Sequence, residues 1–520
     1  MSFFQYLTGV TSTLLAGNRI QAPWVLITVI LSTAIALVFF TFIYRLWIHP
    51  LSAFPGPRLL AMTSFYEQYH GNIKGTWLRK VSQLHREYGP VVRIGPNRLA
   101  IDGSIGWPRI FAHRSGRECE KDQRYLYPGA ELSLASAPQE LHRRQRKHMA
   151  PAFNEFGLTE HQETINGYIE LLLCQLEKET EREKPVDMVQ WIDFAIFDMA
   201  GDFTWGESFH NLDSDDHPQW ILHSNATEGA KGLGMLRFVQ WYPALRPLLL
   251  AWKGQSSMAT EEGNRDWSMI KAEARMDIGV QREDGKRDLM SYMMSKDRDG
   301  CTVMSKQEIL LNSPFVFGAG SETVATALEA WVFYLGQTPR AYERLADEIR
   351  QTFRSEGDIN PRSLAHLPYL NACIEEALRL YPPAPEIPPR VCPEDGDIDG
   401  NFVPKGTSVS VYLWATFRNR DHFHDADAFW PERWLNTTHA MYDKRFSDDN
   451  RDAFKPFSHG PRDCIGKNLA YLEMRLLISR LLYRFDFELA SGQSDWHGKQ
   501  KYLVVWAKSP LWVRLKRREL

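Results

Sequence analysis

From Trp24 to Tyr44 the chain runs for 21 residues without a charge. Wound as a helix at about 1.5 Å per residue, that stretch is about 31 Å long, which matches the hydrocarbon core of a bilayer. A cleaved signal peptide is the rival reading. The apolar run is longer than such a peptide needs, however, and Arg45, Leu46 and Trp47 follow it where a cleavage site requires small residues. We therefore expect a retained single-pass anchor over 24–44 behind a short segment, 1–23. Arg45 and Arg58 follow the span and Arg19 precedes it, a bias that keeps the C-terminal bulk in the cytosol. In that topology the sequons at Asn225 and Asn436 are never glycosylated.

Behind the anchor, Phe54, Pro55, Gly56 and Pro57 make a stiff, non-helical turn, because proline fixes its own φ and biases its predecessor away from the helix region. It reads as a hinge closing a linker, 45–57. No other linker, repeat or low-complexity stretch appears before Leu520, so 58–520 is taken as one large domain. Acidic and basic residues nearly cancel, 64 against 61, which excludes the overall basic excess of a nucleic-acid binder. Six widely spaced cysteines, Cys119, Cys174, Cys301, Cys373, Cys392 and Cys464, show neither a disulfide framework nor a CxxC metal site. They point to a reducing compartment, and all but Cys464 are expected to be buried small hydrophobes.

Strand-like runs at Val91 to Ile94, Leu99 to Ile101, Thr407 to Leu413 and Tyr502 to Trp506 sit among long helical patterns. The fold class is therefore mainly α with a small β portion (α+β). One helix stands out: Ser305 and Glu308 form a capping box, and apolar periodicity continues to about Gly336 through Pro314, Gly318 and Gly320. Each glycine costs about 1 kcal/mol relative to alanine inside a helix, so a kink or a close approach to the backbone is expected there.

Near the C-terminus, Phe457-Ser458-His459-Gly460-Pro461-Arg462-Asp463-Cys464-Ile465-Gly466 forms a loop of turn formers that enters the helical pattern Asn468 to Arg480. A cysteine just before a helix meets positive potential and free amides, which favour the thiolate, the form that binds iron. Gly460 and Gly466 let the backbone bend around the sulfur. The loop resembles the FxxGxRxCxG haem signature of the cytochrome P-450 superfamily at Phe457, Gly460, Arg462, Cys464 and Gly466. The resemblance extends over nearly the whole chain from the proline turn, and the order of motifs looks most like microsomal fungal enzymes of secondary metabolism. It implies the cytochrome P-450 fold and haem b (iron protoporphyrin IX), with Cys464 as the axial ligand of the iron.

Further motifs join that resemblance. Glu376 and Arg379 stand i, i+3 on a helix that Pro382 and Pro383 end, and Pro431-Glu432-Arg433-Trp434 is similar to the family's PERF element. Together Glu376, Arg379 and Arg433 imply a buried structural network. Ala319-Gly320-Ser321-Glu322-Thr323 resembles the oxygen-activation pattern: Gly320 leaves room, and the Thr323 hydroxyl beside the acid Glu322 relays the protons that dioxygen cleavage consumes. His142, Arg143, Arg144, Arg146 and Lys147 form a basic run that resembles the WxxxR helix, with His142 where tryptophan is usual. By that likeness Arg146 and His142 face the haem, while Arg390 and Arg462 are further partners for its propionates. Arg143, Arg144 and Lys147 are left to dock an acidic electron donor.

The implied activity is insertion of one atom of O2 into a lipophilic small molecule. Only 56 residues (520 minus 464) follow Cys464. Electrons are therefore expected from a separate protein, and the resemblance implies that it is an NADPH-cytochrome P-450 reductase using NADPH, with cytochrome b5 as a second donor, at the endoplasmic reticulum membrane. Substrate segments carried over from the family are Asp122 to Ala137, Gly232 to Trp252, Phe317 to Thr323, Ala384 to Pro388 and the hairpin near Lys508. Trp241, Tyr242, Leu248, Leu249, Leu250 and Trp252 also suit contact with membrane lipid. A haem-thiolate rearrangement, dehydration or coupling enzyme is the alternative, and a non-catalytic haem protein is the third reading.

Overall fold

The computed structural model describes residues 21–113, 118–126, 130–213, 227–249 and 255–519. Arg19, Asn225, Leu250 and Trp252 lie outside that set. Helix α1, Gln21–Ile43, begins three residues before the uncharged run and passes into a π-helical turn at Tyr44–Ile48. Every side chain from Leu26 to Phe40 is exposed. Among the described residues this is the one helix long and apolar enough to cross a membrane.

The proline turn that follows is packed onto the body. Leu51 and Phe54 are buried, the Arg93 amide donates to the Pro55 carbonyl at 2.7 Å, and a Cβ on Gly56 would overlap the Arg93 carbonyl. The Arg93 guanidinium also donates to the Arg45 carbonyl at 2.7 Å. Stiffness here comes from these contacts as much as from proline.

After the helix Trp77–Tyr88, the long helices of the body are, in chain order, α2 Gln139–Met149, α3 Glu155–Thr180, α4 Met188–Trp205, α5 Thr227–Trp241, α6 Gln255–Ile278, α7 Lys306–Gly336, α8 Pro339–Thr352, α9 Pro368–Leu380 and α10 Lys467–Arg484. The strands that matter are β1 Val91–Gly95, β2 Arg98–Ile101, β3 Val186–Asp187, β4 Arg390–Val391, β5 Ser408–Val411, β6 Phe485–Leu489, β7 Lys501–Leu503, β8 Val505–Ala507 and β9 Trp512–Arg517. One sheet has the order β1-β2-β5-β4, and its parallel β2–β5 pair sets Leu99 opposite Val409. That pairing closes the early part of the chain onto the late part. A second sheet, β3-β9-β6, ties the C-terminus to the start of α4 and the end of α10.

Helix α7 is the axis of the body. It starts at the anticipated capping box, where the Ser305 amide donates to Glu308 at 2.7 Å and the Glu308 amide donates to Ser305 Oγ, and it runs 31 residues without a break at Pro314. It packs along α4 and against α6, α9 and α10. From Val324 to Leu335 every residue is buried, as befits a helix surrounded by protein.

Two strand expectations need correction. Tyr502 to Trp506 is a tight hairpin, β7 to β8, reversing at Val504 with φ of 77°. A valine at positive φ carries none of the glycine or asparagine signal that marks such turns. The run from Thr407 ends as a strand at Val411, and Leu413 opens a short helix, Leu413–Phe417. Cysteine burial holds for Cys119, Cys373 and Cys392 but not for Cys301, which is exposed, or Cys174, which is half-buried.

The Glu376 carboxylate accepts five hydrogen bonds: from Arg379 Nε and Nη2 (both 2.8 Å), Arg433 Nε (3.1 Å), the Trp430 amide (2.9 Å) and Trp434 Nε1 (2.9 Å). Arg379 in turn donates to the carbonyls of Phe417, Ala426 and Ala428, and Arg433 to Asp449. Burial alone would raise Glu376, yet Arg379 and Arg433 hold it below the usual carboxylate range. The set fastens α9 to the loop that leads to Cys464.

Glu376→Ala would leave the buried Arg379 guanidinium without its anion and Arg433 with Asp449 alone, so we expect a loss of about 3–5 kcal/mol, read as a lower denaturation midpoint. Deleting residues 1–44 should weaken membrane attachment with haem binding and melting temperature unchanged. Deletion through Phe54 should lower that temperature, because Leu51 and Phe54 leave the core.

Candidate active site

Cys464 lies three residues ahead of α10, held by its own amide donating to the Phe457 carbonyl at 2.9 Å. Its side chain is accessible although protein crowds it. Burial pushes the thiol up, while the Gly466 amide and the charges of Arg146 and Lys467 favour the thiolate. Gly460 has φ of 82°, and a Cβ there would overlap the Phe111 carbonyl, so this position demands glycine. Gly466 sits at φ of −86°, which any residue adopts; its contribution is the amide aimed at sulfur. The Phe457 ring packs on Tyr471 of α10 at 5.0 Å.

The structure gathers four cationic or titratable side chains beside this loop: His142 on α2, Arg390 on β4, Arg462 on the loop, and Lys121, which sequence reasoning missed. Arg462 donates to Glu118 at 2.9 Å and to the Ala137 carbonyl at 2.8 Å, leaving a buried Nη2 without a partner. The buried Nε of Arg390 also lacks one, and its guanidinium lies over the Phe111 ring at 5.1 Å. Burial first, then the neighbouring Arg390 and Arg462, lowers Lys121 to about 7. Burial and the surrounding Arg462, Lys121, Arg146 and Arg390 lower His142 to about 3, so it is neutral. Glu118 answers only part of this charge, which calls for a buried anion. Arg146 is committed differently from expectation: its terminal nitrogens donate to the Asp463 carbonyl and carboxylate, both at 2.5 Å, bracing the residue before Cys464. Arg144 is taken up by Glu308 and the Val303 carbonyl, which fasten α2 to the start of α7.

On α7, Gly318, Ala319 and Gly320 are exposed in mid-helix, and a Cβ on either glycine would meet nothing within 4 Å. The two glycines thus face open space, which answers why they interrupt the apolar pattern. Phe317 turns the other way, into an aromatic cluster with Trp205 (4.7 Å), Phe197 and Phe209. One turn past the opening, the Thr323 hydroxyl donates to the Ala319 carbonyl at 2.7 Å. Glu322 leaves the helix on the adjoining face, where Thr326 donates to it at 3.2 Å and Lys508 lies 3.5 Å away.

An accessible thiol just ahead of α10, a bare stretch of α7 and unanswered cations fit a dianionic cofactor with one soft ligand. Cys464 would bind its metal, Arg390, Arg462 and Lys121 its carboxylates, and Gly318 and Gly320 would leave room along α7. The cytochrome P450 family model matches residues 55–514. The chain belongs to the cytochrome P450 family.

The cytochrome P450 monooxygenase aclL of Aspergillus oryzae is 37% identical to the chain over 479 residues, covering 91% of this chain and 95% of that protein. The cytochrome P450 monooxygenase cpaH of the same species is 36% identical over 475 residues, 91% and 90% of the two chains. The cytochrome P450 monooxygenase dtxS2 of Metarhizium robertsii is 33% identical over 506 residues, 96% of each. This cytochrome P450 is therefore a haem-thiolate monooxygenase, an oxidoreductase that uses O2, haem b and electrons from a redox partner.

Cys464→Ala should abolish the red-shifted Soret band of the ferrous carbon monoxide complex, whereas Cys373→Ala, a change in the core, should keep it. Gly460→Ala should yield little folded protein, measured as soluble yield, because the loop cannot keep its φ beside Phe111.

Proposed function

We propose that this cytochrome P450 hydroxylates, or otherwise oxygenates, a lipophilic small molecule of a secondary-metabolite pathway, with Cys464 as axial ligand and Thr323 and Glu322 handling protons. The observation that carries the reading is the opening at Gly318 to Gly320 with the Thr323 hydroxyl at its edge. Haem with a thiolate ligand supplies reduction and cleavage of O2 and the oxidising equivalent for the substrate. The chain's own residues do the rest. Thr323 Oγ1 can trade its bond to the Ala319 carbonyl for one to a group in the opening and donate a proton there, while Glu322 replaces it. Arg390, Arg462, Lys121 and neutral His142 anchor the propionates, and Arg146 fixes the cysteine loop through Asp463.

Electrons are assigned to an NADPH-cytochrome P-450 reductase, with cytochrome b5 as a second donor. Outside the cysteine loop lies a cleft of about 630 Å³ whose lining includes Lys455, Phe457, Ser458, Lys467 and Arg475. Exposed Lys147 and Arg143 stand on α2, which Arg146 joins to that loop. The cations suit an acidic partner. Residues 24–44 are assigned as the membrane anchor of an endoplasmic reticulum protein with 58–520 facing the cytosol. Leu248, 67% exposed, together with Trp241 and Tyr242 offers apolar surface to lipid.

Thr323→Val keeps the β-branched shape and removes the hydroxyl. Haem binding should survive, while product per NADPH should fall at least about tenfold with peroxide released instead, a part of the roughly 10²–10⁴-fold that acid–base help contributes. Coupling equal to the unmutated enzyme would favour the rearrangement or dehydration reading, which needs no such proton.

A further inference from the structure

Behind Glu322 the protein buries charges that the site above leaves unexplained. The Lys508 side chain is 0% exposed, and its Nζ lies 2.9 Å from Glu329 Oε1, 3.3 Å from Asp193 Oδ1, 3.5 Å from Glu322 Oε1 and 3.4 Å from Thr326 Oγ1. Glu322, Thr326 and Glu329 stand at i, i+4 and i+7 on one face of α7. Asp193 comes from α4, and Lys508 from the segment between β8 and β9. Tyr381, just past α9, completes the surroundings; its hydroxyl is buried and both glutamates act on it.

One ammonium faces three carboxyls. Full ionisation would leave two negative charges unanswered in a buried site, so at least one carboxyl keeps its proton at neutral pH. Glu329 Oε2 is buried with no donor, which a neutral carboxyl tolerates far better than a carboxylate. Burial raises Glu329 well above the usual carboxylate range against the pull of Lys508, with Asp193 and Glu322 adding to the rise. Burial likewise raises Glu322 to about 7, where it can both give and take a proton near neutrality.

We propose that Lys508 is a positioning residue: it holds Glu322 near Glu329 and Asp193, and the Glu329 carboxyl stores the proton that recharges Glu322 after each donation at the α7 opening. In that step the proton leaves the Glu329 carboxyl and joins the Glu322 carboxylate. Glu329 is then an anion held by Lys508 until solvent returns a proton. The proposal rests on the reading of Glu322 as the acid behind Thr323, and it adds where that acid is refilled.

The test uses the full-length haem protein and reads infrared absorption of protonated carboxyls as pH is raised. Two buried bands are expected, one titrating near neutrality and lost in Glu322→Gln, the other persisting to higher pH and lost in Glu329→Gln. In Lys508→Met both should persist to higher pH, because the ammonium that favours their ionised forms is gone, whereas Lys508→Arg should restore the original titration. Stability gives a second readout. Both folded-state values lie above those of the unfolded chain, so their contribution is complete below the ordinary carboxyl range and is lost as pH rises through the folded values. The melting temperature should therefore fall across that window, and less steeply in Glu329→Gln.

In turnover with NADPH and reductase, Lys508→Met and Glu329→Gln should each lower product per NADPH by about tenfold at neutral pH, a part of the roughly 10²–10⁴-fold available to acid–base help. Carboxyl bands unmoved in Lys508→Met overturn the proposal, as does undiminished coupling in Glu329→Gln, the variant that decides should Lys508→Met fail to fold. Reduced coupling in Thr323→Val and Glu322→Gln alongside either result leaves the relay reading intact. Full coupling in those two variants instead removes the relay, and the store with it.

Discussion

A charge taken out of water is costly unless it meets an opposite charge, and three places in the interior of this cytochrome P450 meet that constraint differently. At Glu376 it is met within the protein, by two guanidiniums and two tryptophan N–H groups. Beside Cys464 there is a surplus of positive charge, on Lys121, Arg390 and Arg462, that Glu118 only partly answers. Around Lys508 there is a surplus of carboxyls. The first locks the loop in place, the second suits an anionic cofactor, and the third favours neutral carboxyls. Net-neutral burial builds structure, while each imbalance marks a place where chemistry enters.

Helix α7 links two of these places. Its C-terminal half is packed on every side, so the helix cannot shift as a whole, and its middle is stripped of side chains at Gly318 and Gly320. A rigid rod with a bare patch presents Thr323 toward the opening and Glu322 toward the carboxyl store at fixed angles. The division between the two faces follows from the helical turn of about 100° per residue alone.

What was legible in the sequence was local. The cysteine loop, the capping box of α7 and the Glu376–Arg379 pair each lie within ten residues, so their geometry follows from spacing. Contacts across the chain were not legible. Lys121 and Arg390 meet through β-bridge pairing, and Lys508 reaches Asp193 across 315 residues. Lysines in such positions look like any solvated lysine until a fold surrounds them. Arg146 and Arg144 show the same limit from the other side: the basic run was visible, but which member would be spent on Asp463 or Glu308 depended on where α2 lands. The hairpin at Val504 hid because its turn residue is one that strands prefer.

The packed joint behind α1 has a consequence for the body as a whole. Leu51 and Phe54 sit in the core and Arg93 grips both Arg45 and Pro55, so the apolar helix is mounted on the domain like a mast stepped in a hull. A flexible tether would let the body tumble above a surface. A fixed mount transmits the tilt of the helix to the body, and the same few exposed side chains near its foot, Trp47, Ile48 and Leu59, are turned toward whatever surrounds the mast. Lengthening that helix by one residue would turn its outer part about 100° against the body, so its register sets which of its faces lies above those side chains.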